Sequence, residues 1–290
     1  MSIYVGTNNN KKEITSVYCN KDKKEVIEAY VSKVGGGVNQ VFLAKPDPGQ
    51  QIFTSSGTFT VPKRVKSVDI FLVGGGGAGG SWESVGYNWW GNGGGGGYTT
   101  TAKGVSVTPQ ASYDVIVGAG DVGRTDVYAN TIGGTSLALG YSASGGWGGL
   151  NGLNNDSAVA GCGGSGGGDG CYTRTSCGGQ GGSDGSNGYG RGETTTSTFG
   201  TYRRGQGVTT RAFGESSGTL YAGGGGGSSA PGYTRPAGGA GGGGWGSTGD
   251  PGWGSNGTDG TGGGGGANHD NGSNNKHRGG SGCVIIRWGY

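Results

Sequence analysis

The chain reads as an all-β protein. It has a β-sandwich-like framework, an inserted bundle of polyglycine helices of the polyproline-II (PPII) type, and a small N-terminal segment of β-hairpin repeats in front of them. Three observations predict this. Val68, Ile70 and Leu72 alternate with Asp69, Phe71 and Val73, which is the pattern of a mostly buried strand, and the strand empties into glycine at Gly74. The chain stays glycine-rich until a second β-branched run at Cys283–Trp288, and 79 of its 290 residues are glycine. No stretch carries an amphipathic helical stripe with caps; Val26–Tyr30 is too short and too β-branched.

Residues 1–45 carry a short repeat. Lys11-Lys12-Glu13-Ile14 recurs as Lys23-Lys24-Glu25-Val26, and Tyr18, Tyr30 and Phe42 keep the same step. Polar turns separate the β-like runs, which predicts hairpins or a meander. Two or three short strands bury little surface alone, so this segment is expected to be completed by other chains or a larger particle; a small self-contained sheet is the alternative. Residues 46–56 read as a linker, since Pro46, Pro48 and Gly49 stop both helix and central strand. The third segment, 57–290, opens with β-rich runs at Gly57–Pro62, Lys66–Val73, Tyr98–Val107 and Ser112–Gly118, with a turn at Thr108–Ala111 and a further strand at Gly133–Leu139.

From Gly140 to Gly282 glycine tracts alternate with short insertions. Glycine loses more backbone entropy on ordering than any other residue, so an isolated tract would stay disordered. PPII helices make no internal hydrogen bonds and leave every N–H and C=O pointing outward. Without side chains they can approach closely and bond to one another, and lateral bonds netting about 1 kcal/mol each offset an ordering term of similar size. The expected result is a layered lattice of glycine helices with connecting loops at its ends and edges. The large side chains sit in those loops. Trp82, Tyr87, Trp89, Trp90, Trp147, Tyr172, Trp245 and Trp253 are the candidate contact residues, because rigidly held aromatics give wide contact area at low entropy loss. Capping the lattice and filling its gaps is the structural alternative for the same rings.

Composition excludes several classes. Gly-rich chain without a strict period is also the composition of low-complexity or disordered sequence, which stays open as an alternative, whereas a collagen register is broken by runs such as GGWGGLNGLNNDSAVAG. A net charge of +3 without a basic stripe argues against nucleic-acid binding. No apolar stretch approaches the roughly 20 residues of a membrane span, and the N-terminus lacks a signal-peptide core, so synthesis in the cytoplasm without a signal is expected. Of the five cysteines, Cys162, Cys171 and Cys177 lie close in sequence; a reducing cytosol would keep them as thiols, and Cys162–Cys171 or Cys171–Cys177 are the bridges open to them.

Two motifs imitate chemistry. Asp114–Gly123 matches G-x-G-x-x-G after a strand, but no helix and no acid about 20 residues on follow it, so no cofactor is expected. Gly163–Gly167 fits G-x-S-x-G without a following helix, and only His269 and His277 could serve as a base. Cysteine and histidine spacings match no zinc pattern, so no metal is expected, and nothing points to an enzyme.

The succession FTVP, VDIFLVGGGGAGG, GGGGGYTTTAKGVSVTP, SYDVIVGAG, GGTS, ASGG and the closing GGSGCVIIRW, over roughly Ile52 to Tyr290, resembles the glycine-rich domain at the ends of phage and prophage tail fibres. The KKEI/KKEV repeat looks like segments in tail proteins of phages of Gram-positive bacteria. The resemblance is also to adhesins with packed polyglycine-II tips, and the glycine-rich ectodomain of the anaplastic-lymphoma-kinase receptor group shows that such tracts can be ordered. It implies a virion protein of the tail fibre or tail tip, a homo-oligomer, often a trimer. In that reading residues 1–45 meet other tail or fibre proteins, and residues 57–290 bind a host cell-surface glycan or protein through variable loops. SWESVGYNWWGN and CGGSGGGDGCYTRTSC depart from the family pattern and are the candidate specificity loops. A structural fibre component without receptor contact, and a host-made glycine-rich surface protein, are the alternatives.

Overall fold

A computed structural model of the chain describes residues 46–81, 91–123, 131–150, 160–171, 178–190, 203–249, 253–268 and 277–290, with the backbone of six short strands before them. Two compact units emerge, one spanning Met1–Pro48 with Gly289 and one spanning Gly49–Trp288 with Tyr290.

The first unit is a series of antiparallel pairs. β1 (Ile3–Val5) pairs with β2 (Lys12–Ile14), β3 (Tyr18–Cys19) with β4 (Lys24–Glu25), and β5 (Glu28–Ser32) with β6 (Val38–Leu43). Among the described residues each of the three sheets has two strands; the polar turns predicted from the repeat lie outside those residues.

The second unit begins with a correction. Gly49–Phe53, inside the stretch read as a linker, is strand β7, paired antiparallel with the last strand of the chain. Pro46 and Pro48 precede it rather than interrupt it, and it lies at a sheet edge, where proline is tolerated. β8 (Gly57–Thr60), β9 (Ser67–Val73), β10 (Thr99–Ser106), β11 (Ser112–Ile116), β12 (Ser136–Ala138) and β14 (Cys283–Trp288) form where the β-branched and aromatic runs place them. β13 (Tyr141–Ala143) is an additional short strand. One sheet has the order β10-β9-β14-β7 and the other β13-β12-β11-β8, all pairings antiparallel.

The two sheets face each other across one core. Phe59, Val61 and Val115 meet Val68, Ile70, Leu72, Val284 and Ile286, and Phe59 and Ile70 are fully buried. The alternate residues of β9 and β14, Phe71, Val73, Cys283 and Ile285, are buried on the other face under Phe213, Tyr221 and Ala222. Burial on both faces is why β9 reads as a nearly continuous apolar run. β10 carries a bulge between Ala102 and Val105 at Gly104, whose φ of 67° suits glycine, and Gly104 N donates to Asp69 Oδ1 at 2.9 Å. No α-helix occurs among the described residues; Ala212–Gly214 is a single 3₁₀ turn.

The strands continue directly into glycine. β9 leads into 74–81, 91–97 leads into β10, β11 leads into 118–123, β13 into 144–150, and 277–282 into β14. The bundle therefore grows out of the sandwich, and its hydrogen bonds run sideways. In the tract 91–97, Asn92 and Gly95 donate to Leu150 and Trp147, Gly93 and Gly96 to Gly168 and Ser165, and Gly94 and Gly97 to Gly265 and Gly262. Successive amides thus address three neighbouring tracts, and the direction repeats every third residue. Gly223, Gly226 and Ser229 repeat the rule toward Gly241, Gly244 and Ser247. Lateral backbone bonding of the kind expected from the sequence joins the described tracts. Bare backbone is required here: a Cβ on Gly95 would overlap the Cys162 carbonyl, one on Gly93 the Gly225 carbonyl, and one on Gly264 the Gly94 carbonyl.

Candidate functional site

The direction of the tracts decides where the insertions go. Gly80 N donates to Asn92 O at 2.8 Å, so the described flanks of 82–90 meet. Asn92 Nδ2 donates to Leu150 O at 2.7 Å beside 151–159, and Gly170 N donates to Asn92 Oδ1 at 2.8 Å just before 172–177. Asn268 N donates to Gly80 O and Gly79 N to His277 O, which brackets 269–276. Gly249 N donates to Ser229 O ahead of 250–252, and Gly178 N to Ser229 Oγ after 172–177. Arg203, which follows 191–202, pairs with Asp169 at 2.8 Å. Asp121 accepts from Ala78 N and from the Thr131 hydroxyl across 124–130. The described flanks of all these segments belong to the end of the bundle away from the sandwich. The short turns at Gly163–Ser165, Ala240–Gly242 and Asp259–Thr261 lie at the sandwich end, where Gly96 donates to Ser165, Gly223 to Gly241 and Ala222 to Thr261.

At the far end glycine gives way to small polar residues. Ser81, Asn92, Ser228, Ser229, Ser247 and Asn268 are each 0–1 % exposed. The side chains of Asn92, Ser228 and Ser229 bond to backbone groups where the lattice stops, as Ser228 Oγ does to Gly91 O at 2.9 Å. A polar layer of this kind satisfies the last buried amides and carbonyls.

The candidate aromatics divide. Trp82, Tyr87, Trp89, Trp90 and Tyr172 lie outside the described residues. Trp147 is bridged through its backbone to Ile132 on the flank of the bundle, and its ring is 39 % exposed. Ile132 and Val122, both exposed, lie beside the Asp121–Thr131 contact and add apolar surface there. Trp245 and Trp253 come together: Ser255 N donates to Trp245 O at 2.9 Å, and Arg235 bridges the two runs. Arg235 Nε donates to Gly246 O at 2.7 Å and Nη2 to Trp253 O at 3.0 Å, while the guanidinium carbon lies 5.7 Å from the Trp245 ring centroid. Tyr233, in the same 230–236 turn, is also exposed. Sequence reasoning had no reason to single out Arg235, since a lone arginine in polar chain carries no pattern; its position between two tryptophans appears only in three dimensions.

His277 packs against Gly254, beside Trp253, and its Nε2 has no hydrogen-bond partner among the described residues. Burial, and then the nearby Arg235 charge, hold its pKa below the ordinary histidine value, so it is neutral at pH 7. The motifs that imitated chemistry are part of the lattice. Gly118 N donates to Ser136 Oγ, and Asp121 N to Gly76 O. Ser165 is fully buried, with its hydroxyl accepting from Gly185 N at 3.2 Å. Among the described residues no cluster of His, Cys, Asp and Glu could hold a metal, and no helix is long and apolar enough to cross a membrane.

The model of a family described as a glycine-rich domain matches residues 54–289. The chain belongs to this glycine-rich domain family. The match takes in both sheets, except for β7, and the whole bundle. No curated protein matches the chain. In this glycine-rich domain the strands at the two ends of the match, β8 and β14, belong to the two facing sheets, and the tracts between them are joined by lateral backbone bonds so close that most of their glycines leave no room for a Cβ.

Proposed function

We propose that this glycine-rich domain is a phage tail-fibre or tail-tip adhesin that recognises a host cell-surface receptor, glycan or protein, through side chains held at the far end of the bundle. One observation carries the reading: the described flanks of the insertions gather at a single end of a laterally bonded scaffold, and the described part of that end exposes Tyr233, Arg235 and Trp253. A scaffold with short turns at one end and insertions at the other is suited to presenting variable sequence without disturbing its own packing. In this reading Trp82, Tyr87, Trp89, Trp90 and Tyr172 contribute receptor contacts with Trp245 and Trp253, and Trp147 forms a lateral contact. Residues 1–45 join other tail or fibre proteins, because pairs of two strands leave edges open, and the assembly is a homo-oligomer, a trimer. No catalysis, cofactor or membrane insertion enters the proposal.

The test is adsorption of the fluorescently labelled full-length protein to a panel of bacterial strains. Saturable binding to some strains, reduced at least about tenfold by Trp89→Ala/Trp90→Ala, is the expected result. A folded protein that binds no strain and does not compete with phage particles is a structural fibre component instead.

A further inference from the structure

We infer that Arg235, Trp245, Trp253 and Tyr233 form a binding site for an acidic sugar, a residue carrying a carboxylate or phosphate within a surface polysaccharide. The inference rests on the receptor-binding reading and deepens it by naming a ligand class and the residues that take it.

Arg235 is immobilised. Its Nε and Nη2 are committed to the Gly246 and Trp253 carbonyls at 2.7 and 3.0 Å, and its plane is set beside the Trp245 indole. Those bonds use two of five N–H donors and leave Nη1 without a partner among the described residues. No carboxylate pairs with it among those residues, although Arg203, Arg211, Arg278 and Arg287 each have one. A guanidinium held in place, with no carboxylate partner among the described residues, is a preorganised donor for a planar carboxylate or a phosphate. His277 beside it has its pKa held below the ordinary histidine value by burial, so it adds little positive charge at pH 7.

The flanking rings supply the other half of sugar recognition. Trp245 is 48 % exposed, Trp253 54 % and Tyr233 37 %. Indole and phenol rings offer flat faces to the apolar C–H side of a pyranose, and their remaining polar edges suit its hydroxyls. An arginine beside the exposed Trp245 ring and bonded to the Trp253 carbonyl therefore matches a ring that is apolar on one face and anionic at one substituent. A neutral sugar would leave the guanidinium unanswered, and a small anion would leave the rings uncovered.

The experiment uses the full-length protein on an array of uronate-, sialate- and phosphodiester-bearing oligosaccharides, each beside a neutral counterpart such as the carboxyl-reduced form. The proposal expects acidic members to bind at least about tenfold more tightly than their counterparts, with affinity falling as salt rises. Which acidic members bind separates carboxylate from phosphate. Arg235→Gln is expected to erase the difference between acidic and neutral members, Arg235→Lys to keep part of it, and Trp253→Ala to weaken both. Thermal unfolding of each variant confirms that it is folded. Equal binding of acidic and neutral members, retention of the preference by folded Arg235→Gln, or no binding to any acidic member overturns the proposal. Adsorption to cells distinguishes the two levels. Adsorption unchanged by Arg235→Gln removes the acidic-sugar site and leaves the receptor-binding reading, whereas no adsorption by the unaltered protein removes both.

Discussion

Gly95 and Gly57 show how differently one residue type is used. A methyl group on Gly95 would run into the backbone of Cys162, while one on Gly57 would meet only the Phe53 ring, at 3.7 Å. Gly95→Ala is therefore expected to destabilise the domain by about 3 kcal/mol or more, since backbone on every side cannot yield as a side chain can. Gly57→Ala should be neutral or slightly stabilising. Melting temperatures of the two variants check this. Cys283 is a second residue-scale case. Its thiol is buried in the sandwich and burial pushes its pKa up to about 12. It should resist alkylation at pH 8 in the native protein and react only on unfolding, as peptide mapping after iodoacetamide would report. Asp259 supplies the pH dependence. The Arg278 guanidinium, at 2.6 Å, and then Ser281 N hold its carboxyl down to about 2, below the unfolded value of about 3.9. A depressed pKa contributes stability above the unfolded value and loses it as pH falls toward 2. Both side chains are roughly half exposed, so the pair is worth no more than about 1 kcal/mol. Asp259→Asn should lower the melting temperature by up to about 2–4 °C at pH 7, and the difference should vanish near pH 2.

At the scale of elements, the strands with side-chain patterns were readable. β9 and β14 announce themselves by β-branched runs, and their direct pairing, with Ile70 opposite Ile286, joins chain segments more than 200 residues apart. β7 was not readable, because Gly-Gln-Gln-Ile-Phe follows two prolines and only Phe53 faces the core. β13 is short, and its Tyr-Ser-Ala carries little β signal of its own. Both are edge strands, where pairing by the neighbour overrides weak local preference. The core that joins the sheets is conventional, so Phe59→Ala, at a fully buried position, should cost about 3–5 kcal/mol in denaturant melts.

At the scale of the molecule, the sequence made lateral backbone bonding legible and left its geometry open. A run of glycines has no side-chain pattern to fix direction or register, so nothing in the sequence said that the insertions would share one end. One signal was available in hindsight: long insertions alternate with short turns along the chain, as they must when tracts go out and back. The Arg235 cluster was illegible for a related reason, since its members come from runs joined only by the folded lattice. The account as a whole rests on the tracts being held chiefly by lateral backbone bonds, and hydrogen exchange of backbone amides read by NMR tests that most directly. Gly93–Gly97 and Gly223–Gly227 should show protection comparable to Ile70–Leu72 of β9, because their amides are buried and bonded on every side. Exchange of those glycine amides at the rate of an unstructured peptide, while β9 stays protected, would contradict it.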